Sequence, residues 1–201
     1  MILTEDKLKL IAPNCPDIVS WTAAINFAMD KYEINTVPRV SAFLAQIMHE
    51  SGQCKTLSEN LNYKAERLMQ VWPSRFPYII AAEPYAHNPE KLANFVYAGR
   101  MGNLEDGDGY TYRGRGLIQI TGREMYAKCG NALGIDLIDN PDLLLTPEYA
   151  TLSAAWFWNK HGLNTLADVQ EYGTMTRRIN GGTTALNERI AKITKALQVL
   201  G

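Results

Sequence analysis

Apolar residues recur at helical spacing along most of the chain, and polar residues fill the positions between them. Residues 17–32 carry such a stripe and predict a first long helix. A second is predicted to begin after Asn35-Thr36, a good cap pair, with Pro38 in its first turn. Val37, Val40, Leu44, Ile47 and Met48 form its apolar face, and Gly52 stands where a helix terminator is expected. Shorter helices are predicted over 63–72 and 89–97. Gly99 to Gly116 holds six glycines and few aliphatics, which predicts a long loop, and loops of that length in compact domains are usually functional. Helix is predicted again from Thr121 to Leu133, and from Thr146-Pro147-Glu148 through Trp156 and Trp158 to Gly162. A last helix carries Leu186, Ile190, Ile193, Leu197 and Leu200 on one stripe. The only candidate strands flank the glycine-rich loop, so the fold class is mainly α.

At 201 residues and 46% hydrophobic, the chain can bury a real core as one domain, with two small lobes allowed. A net charge of −1 argues against a nucleic-acid partner. From residue 161 onward five Lys/Arg face three acids, a weak handle for an anionic polymer. Cys15, Cys54 and Cys129 show no zinc spacing and are expected to be reduced and mostly buried, which suits the cytosol. Met1 to Lys7 lacks the pattern of a signal peptide, and no apolar run reaches membrane-spanning length. The expected location is therefore the cytosol, without stable membrane insertion.

The chemistry centres on Ala45-Gln46-Ile47-Met48-His49-Glu50-Ser51-Gly52. On a helical projection Glu50 lies about 20° outside Phe43, at the edge of the apolar stripe, and in the last turn. Partial burial and the negative helix end both act to raise its pKa. A carboxyl kept protonated near neutrality is what a general acid needs. On position alone, Glu50 reads equally as a polar residue at a helix end. His49-Glu50 also begins a zinc-protease motif, but the second histidine would fall at Gln53. His49, His87 and His161 make no ligand spacing, so no metal and no cofactor are expected. Glu59, past Gly52, reads either as a solvated loop acid or as an ionised partner that activates water. Inverting glycosidases hold such a pair about 6.5–9.5 Å apart. In Arg113-Gly114-Arg115-Gly116 the arginines suit forked hydrogen bonds to sugar or carboxylate. In Leu117-Ile118-Gln119-Ile120-Thr121, Gln119 and Thr121 share a side if the segment is extended, which suits an N-acetyl group and a bound water. The same residues also read as a turn, a short strand and a Thr121 helix cap. Tyr97, Tyr110 and Tyr112 flank the long loop as candidate sugar-stacking aromatics.

Taken together, Phe43-Leu44-Ala45-Gln46, His49-Glu50-Ser51-Gly52, Glu59, Tyr112-Arg113-Gly114-Arg115-Gly116-Leu117-Ile118-Gln119-Ile120-Thr121-Gly122-Arg123, Ile179-Asn180-Gly181-Gly182 and Glu188-Arg189-Ile190 resemble family 19 glycoside hydrolases. That family includes plant-type and bacterial chitinases and many phage endolysins. The resemblance spans roughly residues 36–200. It implies a lysozyme-like, two-lobed helical fold with a central cleft, within one catalytic domain over 1–201 whose N-terminal helices (1–35) pack on the core (36–200). It implies an inverting mechanism without a covalent intermediate or metal. Glu50 takes the general-acid place, Glu59 the general-base place, and Thr121 the place that helps hold the attacking water. Gln119 and Asn180 fall at substrate-binding places, and Arg189 at a place linked to the acid. Tyr112 and Arg115 complete the expected substrate contacts. The chain looks most like phage or prophage endolysins of Gram-negative hosts. On that reading its partner is the glycan strand of peptidoglycan, and a monomer waits in the host cytoplasm until a holin gives access to the periplasm. A chitinase acting on N-acetylglucosamine polymers is the alternative.

Overall fold

A computed structural model describes residues 3–201. In chain order its helices are α1 (Glu5–Ile11), α2 (Ile18–Lys31), α3 (Val37–Glu50), α4 (Ala65–Val71), α5 (Ile79–Ala82), α6 (Pro89–Tyr97), α7 (Asp108–Thr111), α8 (Arg123–Leu133), α9 (Pro147–Lys160), α10 (Leu163–Asp168), α11 (Tyr172–Asn180) and α12 (Leu186–Leu200). Among the described residues, β pairing is confined to two isolated antiparallel bridges, Ser58 with Arg115 and Arg115 with Ile120. The fold is mainly α, as the periodicity predicts.

The local chemistry explains the helix ends. The Thr36 hydroxyl accepts from the Arg39 N–H at 3.4 Å, with Pro38 in the first turn of α3, as the cap pair implies. Asn88 caps α6 in the same way, accepting from the Lys91 N–H at 3.1 Å. The expected start of α8 is corrected. It begins at Arg123 after Gly122, and Thr121 makes no capping bond, because Gly122 at φ +87° is the residue that turns the chain into the helix. The helix predicted to run to Gly162 ends at Lys160, and Gly162 caps α10 instead. The glycine-rich stretch is not wholly loop, since α7 lies within it. Gly109 in α7 packs so closely on α6 that an added Cβ would sit 2.5 Å from the Ala93 carbonyl oxygen.

Contacts divide the chain into two compact units. The first takes the chain up to Leu57 together with Gly116–Gln119 and Asp142–Gly201. Here α3 packs along α12, α2 along α9, and α1 against both α2 and α12. Val40, Phe43, Leu44 and Ile47 are buried from α3, and Phe43 meets Trp158 edge-on at 5.3 Å. The Trp158 indole N–H donates to the Asn164 side chain at 2.8 Å, and Asn164 in turn donates to the Tyr32 carbonyl. Trp21 and Trp156 are also buried, so none of these three indoles offers a stacking surface. The second unit comprises Ser58–Arg115 and Ile120–Pro141. Its core is built on Leu61, Leu68, Phe76, Leu92 and Val96, with Tyr85 and Phe95 tilted against Phe76.

Candidate active site

Glu50 closes α3 in the first unit, with a quarter of its side chain exposed. Its partner is Arg189 of α12, whose side chain is 3% exposed and whose guanidinium donates from Nη2 to Glu50 Oε1 at 2.5 Å. The same guanidinium donates from Nη1 to the amide oxygen of Gln46, which is fully buried one turn earlier on α3. Gln46 uses its amide nitrogen on the Met175 sulfur at 3.7 Å. One cation therefore bridges two acceptors four residues apart on one helix face, and this fixes the Glu50 side chain against α12. Position on the helix predicts the partial burial of Glu50 but not the cation beside it. Gln46 was legible, however, as a polar residue inside the apolar stripe, about 40° around the helix from Glu50, where a buried amide demands a partner. His49 lies next to this pair, 3.9 Å from Glu188. Burial first, and then the Arg189 charge, hold its imidazole below the ordinary value.

Glu59 belongs to the second unit and is held there from both sides. Its Oε1 accepts the Tyr97 hydroxyl, and its Oε2 accepts the Gly114 N–H at 3.1 Å. Its own N–H donates back to the Gly114 carbonyl at 2.9 Å. Burial, followed by the bond to Glu59 and its charge, pushes the Tyr97 phenol well above its usual range, so Tyr97 stays a proton donor. The loop acid is thus an oriented acceptor rather than a solvated side chain. Sequence reasoning marked Tyr97 as a surface for sugar stacking. The structure gives it another job, as the end of α6 that delivers a hydroxyl to a carboxylate.

The glycine/arginine segment divides its labour. Arg113 is half-buried, lies over the Tyr110 ring at 4.2 Å, and donates to the Tyr110 carbonyl and the Ser58 hydroxyl. Arg115 is 2% exposed, and Nη1 donates to the Thr111 carbonyl at 2.6 Å and to the Tyr126 hydroxyl at 2.9 Å. Tyr126 passes the chain on to the Arg113 carbonyl at 2.6 Å. Tyr112 is 5% exposed, packs edge-on to Tyr126 and donates to the Ile138 carbonyl at 3.3 Å. Tyr112 and Arg115, both expected to contact substrate, are thus placed as buried side chains. Their polar groups bond to backbone and to Tyr126, and they shape the loop that carries Gly114.

Of the two readings of 117–121, the structure shows the turn rather than an extended segment. Arg115 and Ile120 exchange both backbone bonds, at 3.1 and 2.8 Å, and residues 116–119 between them form a turn. Gln119 is exposed on that turn, and Thr121 is half-buried just after it. Asn180 is exposed at the end of α11, before Gly181 at φ +73°. The first unit therefore brings together Glu50, Arg189 and Gln46, and the second Glu59, Tyr97 and Gly114. Among the described residues, no group of three or more His, Cys, Asp or Glu is placed to hold a metal ion. None of the described helices is long and apolar enough to cross a membrane.

Comparison with known proteins returns one family. The chitinase class I family model matches residues 77–167, which include Tyr112, Arg115, Gln119 and Thr121. A glycosyl hydrolase family 19 domain-containing protein of Haemophilus influenzae is 40% identical over 201 residues, covering 99% of this chain and 97% of that protein. An endochitinase of Arabidopsis thaliana is 34% identical over 144 residues, which cover 71% of this chain but only 39% of the plant protein. The crystal structure of chitinase C from Streptomyces griseus superposes with a TM-score of 0.67 at 23% identity, over 100% of this chain and 77% of that one, and shows the same fold.

Proposed function

The chain belongs to glycosyl hydrolase family 19 and is a glycoside hydrolase of lysozyme-like fold, and from that premise we propose that it cleaves β-1,4 bonds between the amino sugars of bacterial peptidoglycan. The observation that carries the mechanism is the contrast between its two carboxyls. Glu50 is paired as a carboxylate with a cation through one oxygen, Oε1, in the free protein, and its Oε2 is the atom that would take up a proton in the substrate complex and pass it to the departing glycosidic oxygen. Glu59 has both oxygens engaged as acceptors, one by a phenol and one by a peptide N–H. Such a carboxylate is oriented to draw a proton from water, with Thr121 as a further group for holding that water. Displacement by water on the face of the sugar opposite the departing oxygen inverts the anomeric centre, without a covalent intermediate. Gln119 and Asn180, both exposed, would supply hydrogen bonds to the N-acetyl and hydroxyl groups of the bound sugars.

The match to a bacterial family 19 relative along nearly its whole length supports glycosidic hydrolysis, and the peptidoglycan reading rests on the resemblance of the sequence to endolysins. In the biological setting we favour, the chain is a monomeric endolysin that waits in a host cytoplasm until a holin opens the inner membrane. The plant endochitinase and the Streptomyces chitinase favour a second reading, in which the substrate is an N-acetylglucosamine polymer.

Digestion of purified Gram-negative peptidoglycan by wild type and Glu50→Gln, with mass spectrometry of borohydride-reduced fragments, separates these readings. New reduced muramic acid ends, made by the wild type alone, are the expected result. Reduced glucosamine ends would keep the chemistry and move the bond. Intact peptidoglycan with cleaved chitin oligomers would make the enzyme a chitinase.

A further inference from the structure

Two of the three cysteines lie buried on adjoining loops of the first unit. Cys15 lies in the loop between α1 and α2, flanked by exposed Pro13, Asn14, Pro16 and Asp17, and is itself 7% exposed. Cys54 lies in the turn after α3, 3% exposed, four residues past Glu50. The Cys15 thiol donates to the Pro16 carbonyl at 3.4 Å and the Cys54 thiol to the Met48 sulfur at 3.7 Å; the two thiols lie close enough to shift one another's ionisation, and neither is bridged. The loops that carry them are also joined through backbone, because the Asn14 N–H donates to the Gln53 side-chain oxygen at 2.8 Å.

The turn that holds Cys54 is under strain. Gly52, Gln53 and Cys54 follow one another at φ +57°, +64° and +65°, in the left-handed region that Gln and Cys rarely adopt. It is held by the Gln53 N–H on the Met48 carbonyl and the Cys54 N–H on the Ser51 hydroxyl, both at 2.8 Å. Ser51 donates in turn to the Ile47 carbonyl at 2.6 Å. The turn therefore ends the helix whose last residue is Glu50, and whatever fixes the turn fixes that helix end.

We infer that Cys15 and Cys54 are a disulfide-forming pair which, on oxidation by a small disulfide or a dithiol–disulfide oxidant, staples the loop before α2 to the turn that ends the Glu50 helix. The two thiols are not equivalent, which gives the exchange an order. Contact with Cys54 holds the Cys15 thiol below its ordinary value, whereas that contact and burial push Cys54 up. Cys15, on the exposed loop, is the attacking thiolate. It displaces one thiolate from the oxidant and forms a mixed disulfide. Cys54 then loses its proton, attacks the Cys15 sulfur and releases the second thiolate. The S–S bond forms, the oxidant is reduced to two thiols, and the two protein protons end on them. Reducing surroundings keep the pair open, and oxidising ones close it across a loop of about forty residues, a span for which constraint of the unfolded chain is substantial. This chemistry does not depend on which glycan is cut.

The test uses the full chain, incubated with excess oxidised glutathione or with dithiothreitol, quenched with N-ethylmaleimide in denaturant and read by intact and peptide mass spectrometry. The expected product lacks two hydrogens, carries a cross-linked peptide with Cys15 and Cys54, and takes the label only on Cys129. Cys15→Ser is expected to abolish the link, and Cys54→Ser to trap glutathione on Cys15. The oxidised wild type is expected to melt roughly 5–10 °C higher than the reduced form, reversibly. A wild type labelled on all three cysteines after oxidation, a stable glutathione adduct in place of the link, a bridge to Cys129, or a link without any rise in Tm would each overturn the inference.

Discussion

Replacing Arg189 by Met keeps the aliphatic stem and deletes the cation that joins Glu50 to Gln46. Removing one partner of a fully buried ion pair costs about 3–5 kcal/mol. Glu50 keeps a quarter of its side chain in water, so solvent recovers part of that, and about 2 kcal/mol is the share expected from the stranded carboxylate. Gln46 is fully buried and loses the partner of its amide oxygen, which adds about 1 kcal/mol. The sum, about 3 kcal/mol, corresponds to a Tm lower by roughly 6–12 °C for a chain of this size. Glu50→Gln removes the charge but leaves an oxygen that can accept from Arg189, and is expected to cost about 1 kcal/mol. The double variant has no stranded charge and is expected to lose about 2 kcal/mol, less than the sum of the single changes. Urea unfolding at neutral pH, fitted by linear extrapolation across all four proteins, gives the coupling directly. A loss below about 1 kcal/mol for Arg189→Met, or effects that add within about 0.5 kcal/mol, would show that the guanidinium does not hold the acid.

The other predictions follow the same geometry. Glu50→Gln is expected to lower kcat by at least about 10²-fold with folding intact, and Glu59→Gln similarly, as general acid and base carry effects of that order. Either variant at wild-type turnover would remove that residue from the mechanism. Tyr97→Phe deletes a hydrogen bond to a carboxylate worth about 1.5–3 kcal/mol, and kcat is expected to fall about 10- to 100-fold with KM little changed; a change confined to KM would mean that Tyr97 contacts sugar instead. Thr121→Ala is expected to lose only about tenfold, and a folded but inactive variant would assign it more. Gly109→Ala is expected to destabilise by roughly 1–3 kcal/mol, because its Cβ meets the α6 backbone, and an unchanged urea midpoint would show that α7 shifts freely. His49 and His161 are both held below the ordinary imidazole value, chiefly by burial, with Arg189 acting on the first and Lys160 and Arg178 on the second. The unfolded chain therefore takes up protons that the folded chain refuses as the pH falls through about 6.5, and stability drops over that interval. His49→Gln is expected to flatten the urea midpoint between pH 7 and 5, and an unaltered slope would refute its share.

What the sequence made legible was what local periodicity and capping encode. The apolar stripe from Val37 to Met48, with Thr36 before it and Gly52 after it, specifies α3 and puts Glu50 at the edge of the buried face. Thr146-Pro147 and the stripe from Leu186 to Leu200 place α9 and α12 in the same way. The pattern does not predict helices α1, α5, α7, α10 and α11. The first four are short, and α11 carries few aliphatics, so no stripe announces it and its burial rests on Met175 and Thr176.

The site divides along the same line. A residue's place on its own helix follows from spacing, but its partner comes from a distant part of the chain. Arg189 lies 139 residues from Glu50, and Tyr97 lies 38 from Glu59. An arginine in a glycine-rich segment reads as a ligand-binding residue because exposed guanidinium is the common case. Arg115 departs from this because its Nη1 is buried and donates to the Thr111 carbonyl and the Tyr126 hydroxyl within the protein. The informative signal for such residues is an unmet demand rather than a charge. A buried polar residue such as Gln46, on an otherwise apolar face, announces that a donor must arrive from elsewhere. In this chain the arriving guanidinium also meets the carboxylate one turn further along, so the search for a satisfied amide leads to the acid.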